Sequence, residues 1–115
     1  MKKEIERFAR LFRGLNRAYG ALDLTTKDAR GKQKGKYKFV HEPRTSATYE
    51  NHLKGETSIG VVPINEDNLC LWGAIDIDQY PLDHSKILTK LKEIELPLVV
   101  CRSKSGGAHL YLFLT

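Results

Sequence analysis

Two apolar runs, LVVCR at 98–102 and AHLYLFL at 108–114, bracket the small polar stretch SKSGG and oblige the chain to turn back on itself. Strand-forming residues on either side of a Gly-Gly pair predict a β-hairpin, because glycine tolerates the backbone angles that a tight turn demands. In the second run His109, Tyr111 and Phe113 alternate with Leu110, Leu112 and Leu114. One face of that strand can therefore pack while the other presents the histidine. Upstream, SIGVVPI (58–64) and LCLWGAIDI (69–77) flank the polar NEDN and predict another hairpin. Pro63 places its first strand at an edge or ends it.

The remaining periodicity is helical. Ile5, Phe8, Phe12 and Leu15 recur at helical spacing, which predicts an amphipathic helix over 3–17, with Gly14 and Gly20 near its end. Ile87, Leu88, Leu91 and Ile94 trace one face of a second helix that starts from Asp83 as a cap and leaves by Pro97. Residues 21–57 show no clear period and predict loop with short elements, including a short helix around Ala47 to Leu53. With no repeat and no low-complexity linker, the 115 residues predict a single α+β domain, a mostly antiparallel sheet with flanking helices.

No stretch approaches the roughly 20 apolar residues of a membrane span. The N-terminus MKKEIERFAR is charged where a signal peptide would be apolar. A cytoplasmic chain with no membrane partner is the expectation. Cys70 and Cys101 lie in apolar runs without metal-ligand spacing, and read as core thiols. Charge is distributed unevenly: residues 1–57 hold fourteen Lys and Arg against seven Asp and Glu, whereas 58–115 hold five against seven. Six of those basic residues fall in KDARGKQKGKYK at 27–38, so this segment is either a solvated loop or a contact for the phosphates of a polyanion.

Two aspartates interrupt the apolar run GAIDID at 73–78. Along a strand Trp72, Ala74, Asp76 and Asp78 share one side, which sets the two carboxylates roughly 6–7 Å apart at the backbone. Adjacent anions repel and resist desolvation unless a cation lies between them, and hard, oxygen-seeking Mg²⁺ or Mn²⁺ meets that need. A wet strand end with two solvated aspartates is the competing reading. The second constellation is CRSKSGGAHLYLF at 101–113. Arg102, Ser103, Lys104 and Ser105 precede Gly106 and Gly107, whose backbone amides can approach an anion, and His109 follows. Taken together, a carboxylate pair and a basic Gly-Ser loop ending in histidine describe a metal-plus-phosphate site.

AIDID followed by RSKSGGAHLYLF resembles the first two motifs of the archaeo-eukaryotic primase superfamily, in particular the primase-polymerase domains of TOTE conflict systems. Those motifs are two acidic residues one residue apart on a strand, here Asp76 and Asp78, and small-x-His, here Gly107, Ala108 and His109. FRGLNRAYG (12–20), HLKG (52–55) and IGVVPINEDNLCLWG (59–73) resemble the lead-in of the same domains. The resemblance implies template-directed nucleotidyl transfer from nucleoside triphosphates on DNA or RNA. Asp76 and Asp78 would hold Mg²⁺ or Mn²⁺ and His109 would contact the phosphates of the incoming nucleotide. Arg102, Ser103, Lys104, Ser105, Gly106 and Gly107 would lie near the triphosphate. Arg17, Tyr19, Lys32, Lys34, Lys36 and Lys38 are candidates for template or primer contacts.

The family's third acidic motif, downstream of the histidine, has no counterpart before Thr115, and Asp83, Glu93 and Glu95 do not match it. The expectation is a partial domain, either a fragment of a longer enzyme or a small protein that keeps the nucleotide-facing half alone, with the remainder of a primase domain, a helicase or a nuclease as candidate partners. Two further readings remain open: a non-catalytic module that binds a nucleotide or single-stranded nucleic acid and regulates a replication protein, and a different metal enzyme. Against a nuclease, Lys104 lacks the usual spacing from an acidic residue. Against a glycosyltransferase, the chain is short for a sugar-nucleotide domain.

Overall fold

In the computed structural model, which describes residues 1–114, helical spacing at the start of the chain produces α1, Lys2–Leu11. It is shorter than the periodicity suggests: past the cap residue Phe12 the chain leaves the helix, and the Leu15 amide donates to the Val62 carbonyl. Phe8 brings α1 against α2, Ser46–Leu53, through ring contacts with Tyr49 at 5.9 Å and His52 at 5.2 Å. Thr45 and Thr48 cap α2 reciprocally, each side chain accepting from the other's backbone N–H. Such a cap contributes about 0.5–2 kcal/mol. The buried Tyr49 hydroxyl accepts from Arg44 Nε at 2.8 Å.

Three antiparallel strands complete the first of two compact units, Met1–Leu71. They are β1 (Tyr19–Asp23), β2 (Lys38–Val40) and β3 (Thr57–Gly60), in the order β2-β1-β3. β1 and β2 arise in the segment without a period, since strands of three to five residues offer too few repeats to show one.

The second unit begins at Trp72. It holds β4 (Trp72–Ile77), α3 (His84–Glu93), β5 (Val99–Arg102) and β6 (Ala108–Phe113). The sheet is antiparallel with order β4-β6-β5, so β5 and β6 form the expected hairpin. Asp83 caps α3, its carboxylate accepting from the Lys86 amide. The helix packs against β5 with Leu91 buried. Ala108 and Leu110 are buried on the sheet face that also carries Ile75, Ile77 and Val100.

Two expectations require correction. The runs 58–64 and 69–77 do not pair as one hairpin: β3 pairs with β1, β4 pairs with β6, and among the described residues the two runs are joined by an isolated Ile64–Cys70 bridge. The NEDN turn does form, with the Asn65 side chain accepting from the amides of Asp67 and Leu69. Apolar runs specify strands without specifying partners, and Pro63 withholds an N–H from any longer ladder. Cys70 and Cys101 are exposed thiols and not core residues. Cys70 belongs to the bridge beside the turn and Cys101 to the edge strand β5, where an apolar neighbourhood in sequence does not amount to cover.

Candidate functional site

The register of the second sheet decides which side chains meet. Asp76 on β4 stands directly opposite His109 on β6, and His109 stands opposite Cys101 on β5. Residues paired this way share a face, so the carboxylate and the imidazole project to the same side of the sheet. His109 Nε2 lies 3.5 Å from Asp76 Oδ1. Both side chains keep solvent access, 43% for His109 and 59% for Asp76, which leaves them available to a ligand. Asp78 follows the end of β4 and its Oδ1 accepts from the Tyr80 hydroxyl at 3.2 Å.

The same face continues as Tyr111 and Phe113 along β6, with Trp72 opposite Phe113. Their rings run in sequence from His109 to Tyr111 at 6.1 Å and from Tyr111 to Phe113 at 5.9 Å. Burial raises the Tyr111 phenol above its ordinary pKa, and the negative charges of Cys101 and Asp76 raise it further.

Between β5 and β6 the chain makes a tight turn. The Gly106 amide donates to the Ser103 carbonyl at 3.1 Å, and the Ser103 amide to the Gly107 carbonyl at 3.0 Å. Gly106 has φ +93°, the left-handed position that closes this kind of hairpin. Gly107 is required for a different reason: a Cβ there would collide with the Ile77 carbonyl. The histidine motif thus lies directly against the end of the strand that carries the aspartates. Lys104 and Ser105 form the exposed tip.

His84, the first residue of α3, was not singled out by its sequence, where a histidine after a helix cap carries no signal. Its Nε2 lies 2.8 Å from the Gly107 carbonyl, which fixes the loop from a second direction. The carbonyl can only accept, so Nε2 carries the proton in this contact. His84 Nδ1 and Ser103 Oγ are buried without a hydrogen-bond partner among the described residues.

Not every expected residue joins this face. Arg102 pairs with Ala108, one register step from His109, and so projects to the opposite side. There it lines a cleft of about 450 Å³ with Pro81, Leu82, Asp83, His84 and Ser85. Arg17 and Tyr19 belong to the first unit, where Arg17 lies 3.6 Å from Glu66 and Tyr19 lines a cleft with Lys38 and Asp23. Lys32, Lys34 and Lys36 lie in the segment before β2 and Lys38 is its first residue.

The donor chemistry suits a hard divalent cation. Asp76 and Asp78 offer exposed carboxylate oxygens, and Mg²⁺ is commonly held by one or two carboxylates with water and substrate phosphate completing its octahedron. Among the described residues, no group of three His, Cys, Asp or Glu side chains gathers to form a closed protein cage. No helix among them is long and apolar enough to cross a membrane.

A family model described as the TOTE conflict system archaeo-eukaryotic primase domain matches residues 17–115. No curated protein and no solved structure matches the chain.

Proposed function

From the premise that this chain belongs to the archaeo-eukaryotic primase domain family of TOTE conflict systems, we propose that it binds a nucleoside triphosphate with Mg²⁺ or Mn²⁺ and serves template-directed nucleotide transfer. The observation that carries the reading is the register that sets Asp76 opposite His109, with 3.5 Å between carboxylate and imidazole. Asp76 and Asp78 hold the cation. When bound, the divalent ion supplies charge neutralisation at the triphosphate and acidifies an attacking hydroxyl. The His109 ring, beside the Asp76 carboxylate, meets a phosphate oxygen. Lys104 and Ser105, with their own backbone amides, supply donors to the remaining phosphate oxygens, while the Ser103 and Gly106 amides stay engaged within the turn. Arg102, on the other face, contributes charge to the cleft beside α3. DNA or RNA is the partner that the family's chemistry requires.

Calorimetric titration of the chain with a nucleoside triphosphate, with and without Mn²⁺, tests this reading. Metal-dependent binding is expected in the wild type and is expected to vanish in Asp76→Ala, while thermal unfolding stays within about 0.5 kcal/mol of wild type, as for an exposed substitution. Equal binding by the variant would remove the carboxylates from the site. Binding without template-directed extension would assign the nucleotide site to a non-catalytic module.

A further inference from the structure

The basic segment 27–38 leads into an edge strand whose aromatic rings stand in solvent. We propose that this edge of the first sheet, from Lys32 to His41, is a track for single-stranded nucleic acid on which Tyr37 and Phe39 stack bases while the lysines meet phosphates. The proposal is independent of the Asp76–His109 site, since every residue in it belongs to the first unit.

Sequence makes the first case: KQKGKYKFVH interleaves lysine with aromatic residues at 32–41. β2 is an outer strand of its sheet, so its free edge is open to a ligand. Tyr37 is 61% and Phe39 50% exposed, unusual for two large aromatic side chains standing two residues apart. Their placement is built. Gly20 pairs with Phe39 on one side and with Gly60 on the other, and a Cβ at either glycine would collide with the Tyr37 hydroxyl. The two glycines form a floor on which the tyrosine is laid, and the side chains of Phe39 and Tyr37 belong to that same sheet face. Phe39 is held in turn by His41, their rings 5.2 Å apart. A ring fixed before binding loses less conformational freedom on stacking, which favours affinity.

The lysines are also presented by a defined backbone. Lys27 and Gln33 form an antiparallel bridge, and the Gln33 side chain donates to the carbonyls of Asp23 and Thr26. Asp28, the one acidic residue of the segment, accepts from the amides of Arg30 at 2.8 Å and Lys32 at 3.0 Å. Both bonds fall on Asp28 Oδ1, and none of Lys27, Arg30, Lys32, Lys34, Lys36 and Lys38 forms an ion pair among the described residues. Lys38 projects with Ala21 to the opposite face of the sheet, where its charge acts on Asp23, so the charges left for a polyanion are those of Lys27, Arg30, Lys32, Lys34 and Lys36. Duplex phosphates would satisfy them but would leave the rings unused, whereas an unpaired strand offers phosphate and exposed base together.

The test is fluorescence anisotropy with a labelled single-stranded oligothymidylate, without nucleotide or metal, and with heparin as a charge-only competitor. Phe39→Ala and Tyr37→Ala are each expected to weaken oligothymidylate binding by about tenfold and to leave heparin binding unchanged. Tyr37→Phe keeps the ring on its glycine floor and retains affinity, which separates stacking from damage to the sheet. Oligothymidylate affinity that is unaltered in both alanine variants would overturn the proposal, as would a parallel loss of heparin binding or equal affinity for a duplex of the same length.

Discussion

At the residue scale the account turns on Asp76 and its two neighbours across the sheet. His109 is placed by register to face whatever Asp76 binds, so His109→Ala is expected to weaken nucleoside triphosphate binding at least tenfold and nucleoside binding hardly at all. A uniform loss in calorimetry would mean structural damage instead. Tyr111 reports on the same carboxylate. Burial first, then the charges of Cys101 and Asp76, raise its pKa, so the neutral phenol is the form that the fold favours. The sign follows: this contribution to stability is complete below the ordinary tyrosine value of 10.0 and is lost as pH rises through the higher folded value. In an ultraviolet phenolate titration, one of the five tyrosines is expected to titrate above the normal range, and Asp76→Asn is expected to lower that midpoint. A midpoint indifferent to the substitution would mean that Asp76 does not act on the ring.

At the scale of elements, the hairpin of β5 and β6 carries the 103–107 loop that is proposed to meet phosphate, and two contacts hold it in place. Gly107 lies against the Ile77 carbonyl, so Gly107→Ala forces an overlap and is expected to cost about 1–3 kcal/mol in urea unfolding. A neutral result would show that β4 can yield there. His84 acts from α3 through its contact with the Gly107 carbonyl. His84→Phe fills the space without the donor and is expected to speed amide exchange at Lys104–Gly107, while His84→Gln, which keeps an N–H at similar reach, restores protection. Equal exchange in both would reduce His84 to a packing residue. This scale also shows what the sequence displays and what it hides. The hairpin, the Asp83 cap and the strand that carries Asp76 are legible because alternation, turn residues and caps are local signals, whereas Asp78, expected on the same strand, falls just past its end. His84 and the opposite-face position of Arg102 are not, because each depends on register and on packing between elements distant in sequence. The mistaken 58–64 and 69–77 hairpin has the same origin: local patterns define strands, and tertiary contacts choose their partners.

At the scale of the molecule, charge separates by unit. Residues 1–71 hold fourteen basic and nine acidic side chains, and residues from Trp72 onward five of each, so the net +5 of the chain belongs to the first unit. Replacing Lys32, Lys34, Lys36 and Lys38 by Gln is expected to lower nucleic-acid affinity and to reduce the dependence of log affinity on log salt by up to about 3, at about 0.7 per phosphate contact. An unchanged slope would return the segment to a solvated loop. The central claim is narrower: the aspartates, His109 and the 103–107 turn form one metal and triphosphate site. Paramagnetic broadening by Mn²⁺ in the presence of a nucleoside triphosphate tests it most directly, read at the His109 ring and at the amides of Lys104–Gly107. The account predicts selective broadening at these positions in the wild type and its loss in Asp76→Asn. Broadening that avoids His109, or that survives the substitution, would contradict it.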